Sequence, residues 1–204
     1  HYSINGWAHM RIDILTLFPE MFSNIIASSI IKRAVDREKV LINTHNFREF
    51  AKGKHKKVDD TPYGGGAGML LMVEPIVSCL RSIDNYEKAH IVLTTARGKP
   101  FNQAKAHNLQ KKNHIIIICG HYEGVDERIM HFVDEEISLG DFILTGGEIP
   151  ALAILDSVVR LIPGVLKEES IVDESFSEPL LEYSQYTKPY DFEGMKVPDV
   201  LTSG

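Results

Sequence analysis

Apolar and polar residues alternate from Arg11 to Phe18, with Ile12, Leu15 and Leu17 on the apolar positions, and this period of two predicts a strand. From Pro19 to Glu38 the spacing changes. Met21, Phe22, Ile25, Ile26, Ile30, Ile31 and Val35 recur at helical intervals, predicting one helix. Val40 to Ile42 is a short strand candidate, and the polar, basic stretch after it, ending in Pro62-Tyr63-Gly64-Gly65-Gly66-Ala67-Gly68, reads as a loop. Glu74-Pro75 opens a helix reaching to about Asn85. Ile91–Leu93, Ile115–Ile118 and Phe142–Leu144 are short apolar runs of the kind found in buried parallel strands. Helical segments around Asn102–Lys112, Asp126–Phe132 and Ile149–Leu161 separate and follow them. Strands alternating with helices predict an α/β fold, a parallel sheet flanked by helices on both faces. Beyond Pro163 the periodicity stops and acidic residues gather, which predicts an exposed connector.

The length, 204 residues, is enough for one sizeable core without disulfide or metal. No apolar run approaches a membrane span, so no membrane partner is expected. Cys79 and Cys119 both sit in apolar runs, which suits buried thiols in a reducing, cytoplasmic setting. The first nine residues lack periodicity and read as an expression-tag remnant, set aside from the fold. A net charge of -6 is unfavourable for a polyanionic partner. Against it stands one compact basic cluster, Lys52, Lys54, His55, Lys56 and Lys57, just ahead of the glycine run.

Three glycine-bearing segments carry the candidate chemistry. Gly64 to Gly68 is followed by no Lys-Ser or Lys-Thr and does not fit G-x-G-x-x-G, so it is neither familiar phosphate cradle, although glycines this dense let backbone amides approach a ligand. Cys119 to Arg128 (CGHYEGVDER) follows the apolar run Ile115–Ile118, and Ser138 to Pro150 (SLGDFILTGGEIP) contains the run Phe142–Leu144 ending in Thr-Gly-Gly; both place glycines at an expected strand end, where ligands of parallel α/β sheets bind. No H-E-x-x-H, C-x-x-C or G-x-S-x-G is present, so no metal ligand is assigned and no serine nucleophile is expected. His121 at a strand end reads as a hydrogen-bonded structural group.

Five motifs in order, Leu17–Phe22, Val58–Met69, Gly120–Arg128, Gly140–Pro150 and Asp156–Leu166, resemble the bacterial tRNA (guanine-N1)-methyltransferases of the SPOUT class, and the resemblance runs from Met10 to Gly204. It implies a trefoil-knotted α/β domain, where periodicity alone predicts an unknotted doubly wound sheet. It also implies a homodimer with the active site at the subunit interface, S-adenosylmethionine as donor with Mg²⁺ assistance left open, and tRNA as substrate. Residues 10–166 would form the methyltransferase domain and 167–204 the connector and the start of a tRNA-binding domain.

By match to the family's motifs, the donor would be held by Leu93, Thr94, Thr95 and Gly98, by Gly120, Tyr122 and Glu123, and by Leu139, Gly140, Leu144, Gly146, Gly147 and Pro150. The first of these loops holds one residue more than the family's usual form. Asp59, Tyr63, Gly64, Gly65 and Arg160 would meet the tRNA. The target implied is the guanosine 3′ of the anticodon, position 37. Its N1 carries a proton, so a base must remove it, and negative charge then grows on O6, where Arg160 would face it. The family places Glu then Asp before Ser-Phe, with the Asp as base. Here the order is Asp173-Glu174-Ser175-Phe176, so alignment puts Glu174 at the base position with Asp173 beside it. Two other readings stay open on sequence alone, a ribose-methylating SPOUT enzyme and a non-catalytic RNA- or donor-binding module.

Overall fold

The computed structural model describes residues 10–121, 123–167 and 184–203. They fall into two compact units. The first, through residue 167, is built on five parallel strands: β1 (Met10–Thr16), β2 (Val40–Asn46), β5 (His90–Pro100), β6 (His114–Cys119) and β7 (Glu135–Ser138), in spatial order β2-β1-β6-β5-β7. A two-stranded antiparallel pair, β3 (Asp59–Asp60) and β4 (Leu70–Leu71), lies outside that sheet. The helices are α1 (Glu20–Ile26), α2 (Ser29–Asp36), α3 (Val73–Arg81), α4 (Gln103–Gln110) and α5 (Glu148–Val159).

The sheet is buried on both faces because its central strand, β6, is apolar at every position from Ile115 to Cys119 rather than at alternate ones. Ile115 to Ile118 are all inaccessible to solvent. Ile115 and Ile117, with Ile12 and Ile14 of β1, pack against α2, α4 and α5 through Ala34, Leu109 and Ile154. Ile116 and Ile118, with Leu15 and Leu93, pack against α3 through Ile76 and Leu80. This is the parallel sheet flanked by helices that the periodicity predicts.

Three local expectations are corrected. The helix expected from Pro19 to Glu38 is two, α1 and α2, broken where Ser28 turns extended and Ser29 takes a φ of 51°. Serine, whose hydroxyl competes for nearby backbone groups, is a poor residue with which to continue a helix there. The segment expected as a helix at 126–132 is a 3₁₀ turn, Glu127–Phe132, started by the Asp126 carboxylate accepting the Arg128 N–H. Phe142–Leu144 is not a strand. The chain leaves the sheet at Ser138, whose hydroxyl accepts the Gly140 N–H, and Phe142 and Ile143 are left 53% and 90% exposed. Their apolar character serves a surface and not a core.

One buried ion cluster spans three strands. Asp13 of β1 is fully buried and receives the Nε2 atoms of His45 (2.7 Å) and His114 (2.6 Å), with the Arg11 guanidinium at 2.9 Å. Burial alone would raise its pKa. The two histidine hydrogen bonds and the Arg11 charge outweigh that and hold the carboxyl far below its ordinary value. Because the folded value is depressed, the stabilisation is complete above the unfolded carboxylate pKa, about 3.9, and is lost as pH falls through the lower folded value. Asp13→Ala leaves the half-buried His45 and His114 imidazoles without their hydrogen-bond partner and Arg11 without its counter-charge, and is expected to cost about 3 to 5 kcal/mol. Thermal melts of both proteins should differ at and above about pH 5 and converge on further acidification. A gap that does not narrow would mean that Asp13 is not ionised in the folded state.

The second unit is a hairpin, β8 (Asp191–Phe192) and β9 (Met195–Lys196), turned by Glu193 and Gly194 at φ of 53° and 89°. Two left-handed residues in a two-residue loop match the twist of the strands they join. A 3₁₀ turn, Asp199–Leu201, is tied back by the Tyr190 hydroxyl donating to Asp199 Oδ1 (3.1 Å). Among the described residues no helix is long and apolar enough to cross a membrane.

Candidate active site

A cavity of about 530 Å³ opens at the carboxyl ends of β5, β6 and β7, where three loops meet. That is an ordinary size for a small-ligand pocket. The first loop interrupts a strand. β5 pairs with β7 up to Thr94, loses register, and resumes at Lys99, so Thr95 to Gly98 are thrown outward as a bulge. The Thr95 hydroxyl and Arg97 Nε both donate to Glu136 Oε2 at 2.9 Å, and Arg97 also pairs with Glu127 at 3.0 Å.

The second and third loops are stitched together. The Gly147 N–H donates to Gly120 O (2.8 Å), His121 and Gly146 form an antiparallel bridge, and Thr94 Oγ1 lies 3.3 and 3.2 Å from the carbonyl oxygens of Ile118 and Gly147. Glycine is required at the centre of this stitch. A Cβ on Gly147 would lie 2.1 Å from Thr94 Oγ1 and 2.9 Å from Gly120 N. The glycine-rich segment joins from the other side, with the Glu123 N–H donating to Met69 O (3.2 Å) and the Leu71 N–H to Gly124 O (2.9 Å). Gly68, at φ 89°, passes so close to Glu123 that a Cβ would meet its side chain at 2.2 Å.

Leu93, Thr94, Thr95, Gly120, Glu123, Leu139, Leu144, Gly146, Gly147 and Pro150, all singled out from the sequence, line this one cavity. Gly98 and Gly140 do not. Gly98 returns the bulge against the β7 backbone, where a Cβ would lie 2.6 Å from Ile137, and Gly140 sits under the Phe142 ring. Both glycines shape the loops rather than the wall. Tyr122, Asp173 and Glu174 lie outside the described residues.

Asp59 is half-buried in β3, while Tyr63 is fully exposed, and Gly64 and Gly65 hold positive φ with open space around them. Arg160 caps the carboxyl end of α5, half-buried, and is not part of the cavity wall. The wall also includes Leu70, Val125, Glu127, Ile129, Phe142 and Ile143, which sequence reasoning left out. The available signal was the apolar Phe142-Ile143 pair close after Gly140 and ahead of Gly146-Gly147.

The donor set suits a flat, partly apolar and positively charged ligand better than a phosphate. The walls are leucine, isoleucine and proline, the approachable backbone is glycine, and of the charged lining side chains Glu127 is paired with Arg97, which leaves Glu123, among the described residues, as the carboxylate without a lining cation. Neither thiol is available for chemistry. Burial pushes the Cys79 thiol to about 12 and, together with the Glu148 charge, pushes Cys119 well up.

Residues 10–204 match the family described as "tRNA (Guanine-1)-methyltransferase TrmD". The chain belongs to this family. Among its relatives, a tRNA (guanine-N(1)-)-methyltransferase of Staphylococcus carnosus is 54% identical over 197 residues, covering 96% of this chain and 80% of that protein. One from Staphylococcus aureus is 55% identical over the same shares. The crystal structure of the tRNA (m1G37) methyltransferase from Aquifex aeolicus superposes with a TM-score of 0.82 at 45% identity, over 96% of this chain and 83% of that one. The fold is accordingly that of a SPOUT methyltransferase, and the three-loop cavity belongs to a tRNA (guanine-N1)-methyltransferase.

Proposed function

We propose that this enzyme transfers the methyl group of S-adenosylmethionine to N1 of the guanosine 3′ of the anticodon, position 37 of tRNA. The observation that carries the reading is the glycine-stitched cavity at the ends of β5, β6 and β7, formed by ten of the residues that the family's motifs assign to the donor. Bound there, S-adenosylmethionine would supply an electrophilic methyl group on a cationic sulfur. The backbone of Gly120, Gly146 and Gly147 would approach it closely, the Leu93, Leu144 and Pro150 side chains would exclude water, and Glu123 would answer the positive charge.

Guanine N1 is protonated at neutral pH and does not attack until that proton leaves. Glu174, with Asp173 as the alternative, takes the base role by its place in the motif, and Arg160 offsets the charge that develops on O6. Arg160 stands at the far end of α5 from Pro150, ten residues or roughly 15 Å along the axis at about 1.5 Å per residue. A second copy of the chain is the natural source of an arginine at the mouth of this cavity, which supports the homodimer with a shared site. The tRNA would be met by Tyr63, Gly64 and Gly65 and by the exposed Lys54, His55 and Lys56 beside them, within a chain whose overall charge is otherwise unfavourable. Among the described residues no group of three His, Cys, Asp or Glu is placed to hold a metal, and the reading gives Mg²⁺ no residue.

Transfer of labelled methyl to tRNA transcripts carrying guanosine or adenosine at position 37 tests this directly. Label is expected in the guanosine transcript alone. Equal labelling of both would point to ribose methylation, and no labelling alongside tight donor binding would point to a non-catalytic module; either result overturns the proposal.

A further inference from the structure

Glu148 is the first residue of α5 and is 3% exposed, one of few charged side chains buried in this unit. An ionised carboxylate in such a place is costly unless its oxygens are occupied. The positive end of α5 offsets part of that cost, and the Thr16 hydroxyl donates to Glu148 Oε1 at 3.0 Å across 132 residues of sequence. Thr16 is itself fixed, its oxygen accepting the Phe18 N–H at 2.9 Å as the chain leaves β1.

The other oxygen of Glu148 faces the donor loops. A Cβ on Gly146 would lie 2.6 Å from Glu148 Oε2, 3.3 Å from Gly120 O and 3.5 Å from the His121 ring, so the Gly146 backbone is wedged among these three groups. The His121 ring packs on Phe18 at 5.2 Å between centroids, tilted by 53°. Four contacts and one close approach form a ring: Glu148 to Thr16, Thr16 to Phe18, Phe18 to His121, His121 to Gly146, and Gly146, where the lack of a Cβ leaves room for Glu148 Oε2. Glu148 is not part of the cavity wall, whereas Gly120, His121, Gly146 and Gly147 are.

We propose that the buried Glu148–Thr16 pair is a positioning device that sets the separation of the Gly120–His121 and Gly146–Gly147 segments, and thereby the affinity for the methyl donor. The inference rests on the assignment of this cavity to S-adenosylmethionine. Glu148 and Thr16 act through the backbone of those segments and touch no reacting atom. A hydrocarbon pair of similar shape would fill the space but would leave the loop spacing without its directional anchor.

Calorimetric titration of S-adenosylmethionine into the folded enzyme tests the proposal with Thr16→Val, Thr16→Ser, Glu148→Ala and the Thr16→Val/Glu148→Ala double variant. Thr16→Val is expected to raise the donor Kd about tenfold, the scale of losing one hydrogen bond to a buried charge. Thr16→Ser should recover most of that loss, and the double variant should be no worse than Glu148→Ala, since residues that act as one unit are not additive. In turnover the effect should fall on the donor KM and not on the tRNA KM. A merely structural role would lower the binding stoichiometry and kcat together while leaving the donor Kd of the folded fraction unchanged, and that result overturns the proposal. So would additive losses in the double variant. If the parent enzyme itself fails to bind S-adenosylmethionine, the assignment of the cavity fails, which is a separate and distinguishable outcome.

Discussion

Gly147→Ala should weaken donor binding by roughly 100-fold or more while leaving most of the fold intact, because a misplacement of about 1 Å in a binding or reacting geometry carries a penalty of that size. The added methyl group would sit 2.1 Å from Thr94 Oγ1, 2.9 Å from Gly120 N and 3.0 Å from Cys119 Cα. The threonine hydroxyl could rotate, but only by giving up its place between the Ile118 and Gly147 carbonyls. The two backbone atoms can retreat only if the second loop moves as a body away from the third. That motion breaks the Gly147 to Gly120 hydrogen bond and widens the cavity where the donor would lie. Overpacking at one site costs the fold about 1 to 3 kcal/mol, so a melting curve should shift modestly while calorimetry reports little or no donor binding. A donor affinity within a few-fold of the parent's would show that the stitch between the loops is not what shapes the site.

The contrast between Gly147 and Gly98 shows what the sequence makes legible. Both glycines are equally visible as letters, and both belong to motif segments. Which one lies against the cavity depends on the β5–β7 register shift at Thr94–Lys99, a long-range pairing that no local pattern encodes. The strands were legible where burial on both faces forces a continuous apolar run, as in Ile115–Ile118, and misleading where an apolar run serves a surface, as in Phe142–Leu144. β7 itself, Glu135-Glu136-Ile137-Ser138, was invisible to periodicity. Its two glutamates are held by partners from distant segments, Lys105 and His90 for Glu135, Arg97 and Thr95 for Glu136.

The site's composition was read from the order of five motifs, and ten motif-assigned residues do line one cavity, yet the ring through Glu148 and Thr16 could not be inferred that way. Thr16 ends an unremarkable strand and Glu148 opens an ordinary helix. Only the fold brings a residue near the amino end of the chain under a loop that lies 132 positions later. The same holds for Asp13, whose three partners come from β1, β2 and β6. Polar groups on a sheet are judged by their neighbours across strands, and strand order is the part of an α/β fold that sequence patterns specify least.

Strand order and helix length together lead to the other large effect. α5 begins at the cavity and ends at Arg160, so one chain presents the donor loops and the arginine at opposite ends of a rigid twelve-residue helix. Arg160→Ala and Gly147→Ala are each expected to lower methyl transfer by about 100-fold or more as pure proteins, the first by removing charge stabilisation at O6 and the second by forcing the donor loops apart. Produced together in one cell, the two variants should restore activity. A mixed dimer would pair the intact cavity of the Arg160→Ala chain with the intact arginine of the Gly147→Ala chain, giving one working site out of two. Random pairing puts about half of the chains into mixed dimers, so recovery to about a quarter of the parent activity is expected for an isologous interface. If Arg160 served the cavity of its own chain, every site in the mixed dimer would lack one component and the mixture would stay as inactive as its parts. The recovered fraction therefore reports directly which chain supplies the arginine, and it does so without altering the tRNA, the donor or the base.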